Sequence, residues 1–127
     1  MNQHDRPRKI LVVDDDSIIR DMMVDILSFE GYAIDTARNG VEALEILRRK
    51  DNYLVFLDIM MPKMDGKQVC SILAAEPDLR KRHVIVLMSA VSTLAEVTSF
   101  VTHDETLPKP FFVEDVMRVV EPYMART

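Results

Sequence analysis

Four apolar runs in this chain end on, or just before, a side chain able to do chemistry. ILVV runs into Asp14, Asp15 and Asp16; LVFL runs into Asp58; VIVLM runs into Ser89; and the short Thr106-Leu107 stretch stops just before Lys109. A buried run has little use for a bare carboxylate, because desolvating an unpaired one is costly. Asp58 therefore faces water at a strand end or meets something positive there. If the acids converge on one edge they repel: two unit charges ~4 Å apart cost about 4 kcal/mol at an effective dielectric near 20. One would take up a proton unless a counter-ion stood among them. A hard divalent cation with oxygen ligands resolves this, and Mg2+ suits because it tolerates a partly hydrated, open site. An open site beside a free carboxylate can receive a phosphoryl group, whose oxygens the metal, Lys109 and Ser89 would share.

The elements that must position these residues alternate between two periods. Ile10 to Val13 reads as a strand, and Ile18, Ile19, Met22, Met23, Ile26 and Leu27 follow at helical spacing. Gly31 stands where a helix end needs positive φ. Tyr32 to Thr36 alternates like a short strand. Asn39 and Glu42 are spaced as a capping box for a second helix, with Val41, Leu44 and Leu47 on one face. Tyr53 to Leu57 is apolar enough to be a strand buried on both sides. Val69, Ile72 and Leu73 mark a third helix that Pro77 should end. Val84 to Met88 is a further strand, Leu94, Val97 and Val101 a weaker helix, and Thr106-Leu107 a very short last strand. Val113, Val116, Met117, Val120 and Met124 form the last helix, which Pro122 should kink or fray. Strand and helix thus alternate five times, which implies a parallel sheet with right-handed crossovers and helices on both faces. In such sheets chemistry collects outside the carboxyl ends of the strands.

Composition bounds the function. The 127 residues suit one domain spanning 1–127, with its core at about 9–123, and 48% hydrophobic content is that of a globular chain. A net charge of −5 argues against direct nucleic-acid binding, which needs a basic surface. The basic clusters Arg48-Arg49-Lys50 and Arg80-Lys81-Arg82 read as solvated helix ends or loops. One cysteine, Cys70, excludes an internal disulfide and a thiolate metal site. His4, His83 and His103 lack paired spacing and read as solvated or structural. The N-terminus lacks the apolar region of a secretion signal, and no apolar run approaches the ~18 residues of a membrane helix. The expectation is a cytoplasmic protein without membrane insertion.

ILVVDDD, LDIMMPKMDG, VLMSA and LPKPF, in this order and at these separations, resemble the receiver domain of two-component response regulators. The resemblance covers Lys9 to about Tyr123. It implies a doubly wound (βα)5, flavodoxin-like three-layer sandwich with strand order 2-1-3-4-5, the order of the chemotaxis receiver. It implies Asp58 as phosphoacceptor, attacking a phosphohistidine of a sensor histidine kinase or phosphotransfer protein. Asp15 would bind Mg2+ directly and Asp14 largely through water, with the Met60 carbonyl as a further ligand. Ser89 and the Ala90 amide would bond the phosphoryl group, and Lys109 would pair with another of its oxygens. The Lys109–Pro110 bond would be cis, and Pro62, Asp65 and Gly66 would shape the turn that presents Asp58. Asp16 reads as the N-cap of the first helix rather than a ligand. Output would pass to a downstream protein or a fused output domain. Such a chain is a signalling receiver, an enzyme only toward its own phosphorylation and dephosphorylation.

The sequence departs from the family pattern in three ways. Thr106 occupies the place where many receivers carry the Phe or Tyr that reports phosphorylation. The stretch from Ser89 to Lys109 is short, which predicts an altered fourth helix. Met60 and Val91 are apolar where polar side chains can position a hydrolytic water, which predicts slow loss of phosphate. The alternative reading is a phosphorylation-independent docking module of the same fold. A Mg2+-dependent phosphohydrolase is disfavoured, because no cap insertion could enclose a small substrate.

Overall fold

Successive strand residues point to opposite sides of the sheet, and each set meets its own group of helices. The computed structural model describes residues 7–99 and 101–124. Its strands are β1 (Lys9–Val13), β2 (Ile34–Ala37), β3 (Tyr53–Asp58), β4 (Val84–Ala90) and β5 (Glu105–Lys109). Its helices are α1 (Ser17–Phe29), α2 (Gly40–Leu47), α3 (Gly66–Ala74), α4 (Pro77–Arg80), α5 (Val91–Val97) and α6 (Val113–Val120). Every strand pair is parallel and the order is β2-β1-β3-β4-β5, the order expected. No helix among the described residues is long and apolar enough to cross a membrane.

Leu11, Val13, Val55, Leu57, Ile85 and Leu87 pack on one side against Leu44 and Leu47 of α2, Val69 and Leu73 of α3, and Leu94 of α5. Ile10, Val12, Leu54, Phe56, Val84 and Val86 pack on the other against Met23 and Leu27 of α1 and Val116 and Val120 of α6. Each fully buried side chain of this size contributes about 1.5–3 kcal/mol. All of β3 is buried, as its unbroken apolar run requires of a central strand.

The helix starts follow their caps. Asp16 accepts the Ile18 N–H at 2.9 Å, the N-cap role expected of it. Asn39 accepts the Glu42 N–H at 3.0 Å, but Glu42 turns its carboxylate to the Arg38 backbone and guanidinium. The expected capping box is therefore half formed. Gly31, at φ 88°, follows α1 as expected. Cys70 is buried, and burial pushes its thiol up to about 11.

Several expectations need correction. Pro77 does not stop α3, which already ends at Ala74; it opens the short helix α4, where a fixed φ and a missing N–H suit the first turn. Strand β4 runs on through Ser89 to Ala90 and β5 runs from Glu105 to Lys109, so ladder pairing carries both strands past the apolar residues. Val41 is 44% exposed, because Ala43, Leu44, Ile46 and Leu47 already fill the buried side of α2. Helix α5 ends at Val97, and Val101 reaches the core from the turn beyond. Helix α6 stops at Val120, ahead of Pro122, while Met124 still packs on the core. Arg80 is not a solvated cluster member: its guanidinium bonds Asp104 at 2.9 Å and the His83 carbonyl at 2.8 Å. His83 is buried, the structural of its two expected roles, whereas His4 lies outside the described residues.

Candidate functional site

The register of the two central strands sets Val13 beside Leu57, so the residues that follow, Asp14 and Asp58, leave the sheet side by side. Asp15 comes next on the β1–α1 turn. One carboxylate oxygen from each of Asp14, Asp15 and Asp58 lies within 4.8 Å of the others, the one such acid cluster among the described residues. Asp14 is 0% and Asp58 5% exposed, whereas Asp15 faces solvent.

The neighbours of Asp14 are fully specified. Its Oδ1 accepts the Asp16 N–H at 3.0 Å, its Oδ2 accepts Lys109 Nζ at 2.8 Å, and its own N–H bonds the Ala37 carbonyl at 3.2 Å. The ammonium also stands 3.5 Å from Asp58 Oδ1. Lys109 ends β5, and the Lys109–Pro110 bond after it is cis, as expected. Ser89 is 5% exposed and stands one residue beyond Met88, the β4 partner of Asp58. Met60 is 68% exposed, and its backbone N–H faces the Asp58 carboxylate, favouring its charged form.

The turn after β3 is built around close backbone approach. Lys63 adopts a φ of 67°, and Met64 N–H bonds the Pro62 carbonyl at 2.8 Å, closing a three-residue turn. Asp65 and Gln68 form a reciprocal capping box that starts α3. Gly66 lies directly over the β3 end, where a Cβ would meet the Asp58 carbonyl oxygen at 2.5 Å and Ile59 Cα at 2.9 Å. Only glycine fits there.

Electrostatics agree with the geometry. Burial, then the charge of Asp14, pushes the Asp58 carboxyl well above the usual carboxylate range, although Lys109 and the Met60 N–H oppose the rise. Burial opposes the charge of Lys109, yet its bond to Asp14 and the nearby Asp58 charge outweigh that and raise it. Lys109 thus pairs with both Asp14 and Asp58, while Asp15 adds a third carboxylate for which no ion pair is seen among the described residues. An all-oxygen donor set with surplus negative charge fits a hard divalent cation. It does not fit a soft one.

The structure brings Asp14, Asp15, Asp58 and Lys109 together and sets Ser89 on the next strand end. The sequence reading missed Arg20, whose Nη1 donates to the Asp14 carbonyl at 2.7 Å. Its only signal was a basic residue one turn into α1, which composition cannot distinguish from a solvated one.

Comparison with known proteins gives the same picture. The family model for the response regulator receiver domain matches residues 10–121. The response regulator MprA of Mycobacterium sp. (strain KMS) is 37% identical over 122 residues, covering 95% of this chain and 52% of that protein. MprA of Mycobacterium leprae (strain TN) is 37% identical over 120 residues, covering 94% and 52%. The chain thus spans about half the length of these curated relatives. Among solved structures, the response regulator TrrA of Thermotoga maritima, in complex with Mg2+-BeF, is 34% identical with a TM-score of 0.78, covering 92% of this chain and 99% of that one. The signal receiver domain of a signal transduction histidine kinase from Syntrophus aciditrophicus is 28% identical with a TM-score of 0.81, covering 91% and 89%. Acid cluster, strand order and family match converge: this chain belongs to the response regulator receiver domain family, whose members act in two-component systems.

Proposed function

We propose that this chain is a Mg2+-dependent phosphoacceptor, a single receiver domain working in the cytoplasm. It takes a phosphoryl group onto Asp58 from a phosphohistidine of a sensor histidine kinase or phosphotransfer protein. The observation that carries the reading is Asp58 itself: a carboxylate at the end of a buried strand, beside two further acids and one ammonium. A carboxyl with a raised proton affinity is also the more basic nucleophile once ionised.

In the transfer, an Asp58 carboxylate oxygen attacks phosphorus, the P–N bond breaks, and its electron pair leaves with the imidazole of the donor. Lys109, already between Asp14 and Asp58, would pair with a phosphoryl oxygen, while the Ser89 hydroxyl and the Ala90 amide donate to others. Asp14, Asp15, Asp58 and the Met60 carbonyl would hold Mg2+, which supplies positive charge for the transferring group. The burial of Asp14 and Asp58 limits competing water and strengthens each of these interactions. Modified Asp58 carries a dianion that biases whatever neighbouring element it bonds, and contacts with a downstream protein or fused output domain would change accordingly.

The test is intact mass after incubation with acetyl phosphate, with and without Mg2+, for wild type and Asp58→Asn. A Mg2+-dependent gain of one phosphoryl group, absent in the variant, supports the reading. No gain under any condition transfers the weight to a phosphorylation-independent docking module.

A further inference from the structure

We infer that Arg20 is a positioning residue for the cation-binding acids: its guanidinium, held on the Asp14 main-chain carbonyl, fixes the turn that carries Asp14 and Asp15. The inference rests on the Mg2+ reading of the acid cluster. Asp14 stands one residue past the end of β1, where the ladder no longer serves both of its backbone groups. Its N–H still reaches Ala37, but its carbonyl turns to Arg20 Nη1 at 2.7 Å, a contact spanning six residues from the first turns of α1. Charge-assisted bonds of this length are the strong ones. A buried carbonyl left without its partner would drive the turn to rearrange.

The surrounding contacts show why this anchor matters. The Asp14 carboxylate is held at Oδ1 by Asp16 and at Oδ2 by Lys109, but both contacts act on the side chain. Lys109 is also the group that an incoming anion would attract, so its hold on Asp14 is the one that a bound ligand weakens. Arg20 acts on the backbone instead and is independent of what enters the site. Asp15 is solvent-facing, and no hydrogen bond of its side chain is seen among the described residues. Its placement within 4.8 Å of Asp14 and Asp58 therefore depends on the backbone that Arg20 pins.

Two roles for Arg20 predict opposite signs. If it were merely a nearby positive charge, its removal would tighten binding of a cation, because like charges repel. If it positions the acids, removal weakens binding despite that electrostatic gain. The experiment is calorimetric titration with MgCl2 of wild type, Arg20→Met and Arg20→Lys, beside urea unfolding of each. The expected result is Mg2+ affinity lowered roughly tenfold in Arg20→Met, the lower end of what loss of a ligand-orienting partner costs in metal sites. Arg20→Lys, which keeps one donor and the charge, should recover part of the loss. In acetyl phosphate reactions the variant should show a raised Mg2+ requirement, with a smaller change in rate at saturating Mg2+. Unchanged or tighter Mg2+ binding in Arg20→Met overturns the inference, as does a lowered urea midpoint without a change in affinity. If Arg20→Met does not fold, Arg20→Lys decides: weakened binding supports the role and wild-type binding overturns it. A wild-type chain that binds Mg2+ while Arg20→Met binds it equally sinks this inference alone. A wild type that binds no Mg2+ sinks the metal reading as well.

Discussion

His83 should make the stability of this protein fall with acid, by an amount the structure allows one to work out. The side chain is 3% exposed. Its Nδ1 accepts the Tyr53 N–H at 3.1 Å and its Nε2 lies 2.9 Å from the Leu47 carbonyl, so the fitting tautomer is neutral with the proton on Nε2. The ring thus joins the end of α2, the start of β3 and the approach to β4. Protonation would put a second N–H against the Tyr53 N–H and bury a charge. Burial first, with Arg82 and Arg80 nearby, pushes the imidazole down from 6.5 to about 4, although the Leu47 carbonyl favours the charged form. The unfolded chain takes up a proton below about pH 6.5 and the native chain refuses it until about pH 4. Stability from this group is therefore fully present above pH 6.5 and drains away toward pH 4. Over the whole gap the loss is roughly 3 kcal/mol at 1.36 kcal/mol per pH unit, and about 2.5 kcal/mol of it falls between pH 7.5 and 4.5.

The chain has no tryptophan, so far-ultraviolet circular dichroism is the suitable probe of urea unfolding. Wild type and His83→Gln would be compared at pH 7.5, 6.5, 5.5 and 4.5. Asp58 also titrates anomalously, but it is present in both chains and cancels in the difference. His83→Gln should be the less stable protein at pH 7.5, and its deficit should shrink by about 2.5 kcal/mol as the pH falls to 4.5. A difference that stays constant across this range would refute the reasoning, since a ring free to protonate in the native state contributes no such slope.

Gly66→Ala should destabilise the fold by about 1–3 kcal/mol and slow acetyl phosphate labelling, because the added methyl meets the Asp58 carbonyl and Ile59 Cα. Urea unfolding with a labelling time course reads both, and wild-type values in each would contradict the close-approach argument. Met60 and Val91 are 68% and 65% exposed, and neither side chain carries more than a weak acceptor with which to hold an attacking water. Dephosphorylation should therefore be slow in wild type and faster in Met60→Asn and Val91→Glu; unchanged rates in both variants, followed by intact mass, would sink the idea.

Fold and site were legible in the sequence to different depths. The core strands announced themselves, because Ile10 to Val13, Tyr53 to Leu57 and Val84 to Met88 are unbroken apolar runs rich in Val, Ile and Leu, apolar on both faces. Strand β5 was read too short, since Glu105, Pro108 and Lys109 carry no apolar signal and join the ladder through backbone pairing with β4. Helix α4 was missed because proline both ends and begins helices, and only the backbone before Pro77 shows which. The candidate site residues each followed an apolar run, so their placement at strand ends could be read. What could not be read was the backbone around them. A Cβ forbidden at Gly66 and a carbonyl bond from Arg20 are main-chain relations between distant elements, and residue type alone does not encode them. His83 belongs with these, since only the meeting of α2, β3 and β4 turns a loop histidine into a buried bridge.

The site lies where it does because β1 and β3, not consecutive in sequence, are neighbours at the centre of the sheet. Helix α1 leaves β1 toward the face that carries Ile10 and Val12, while α3 leaves β3 toward the face that carries Val55 and Leu57. The chain thus departs in opposite directions from adjacent strands, and a crevice opens between them. Asp14 and Asp58 are the first residues on its two walls. Their meeting depends on register: with Val13 opposite Leu57, the two carboxylates stand side by side. A slip of β3 by one residue would set Asp58 against Val13 or move it beyond Asp14. The same slip would turn Leu54 and Phe56 to the face of Val55 and Leu57, and the reverse, undoing both halves of the core. Core and site are therefore fixed by one alignment. The apolar alternation that buries the strands also delivers a carboxylate from each to the same point in space.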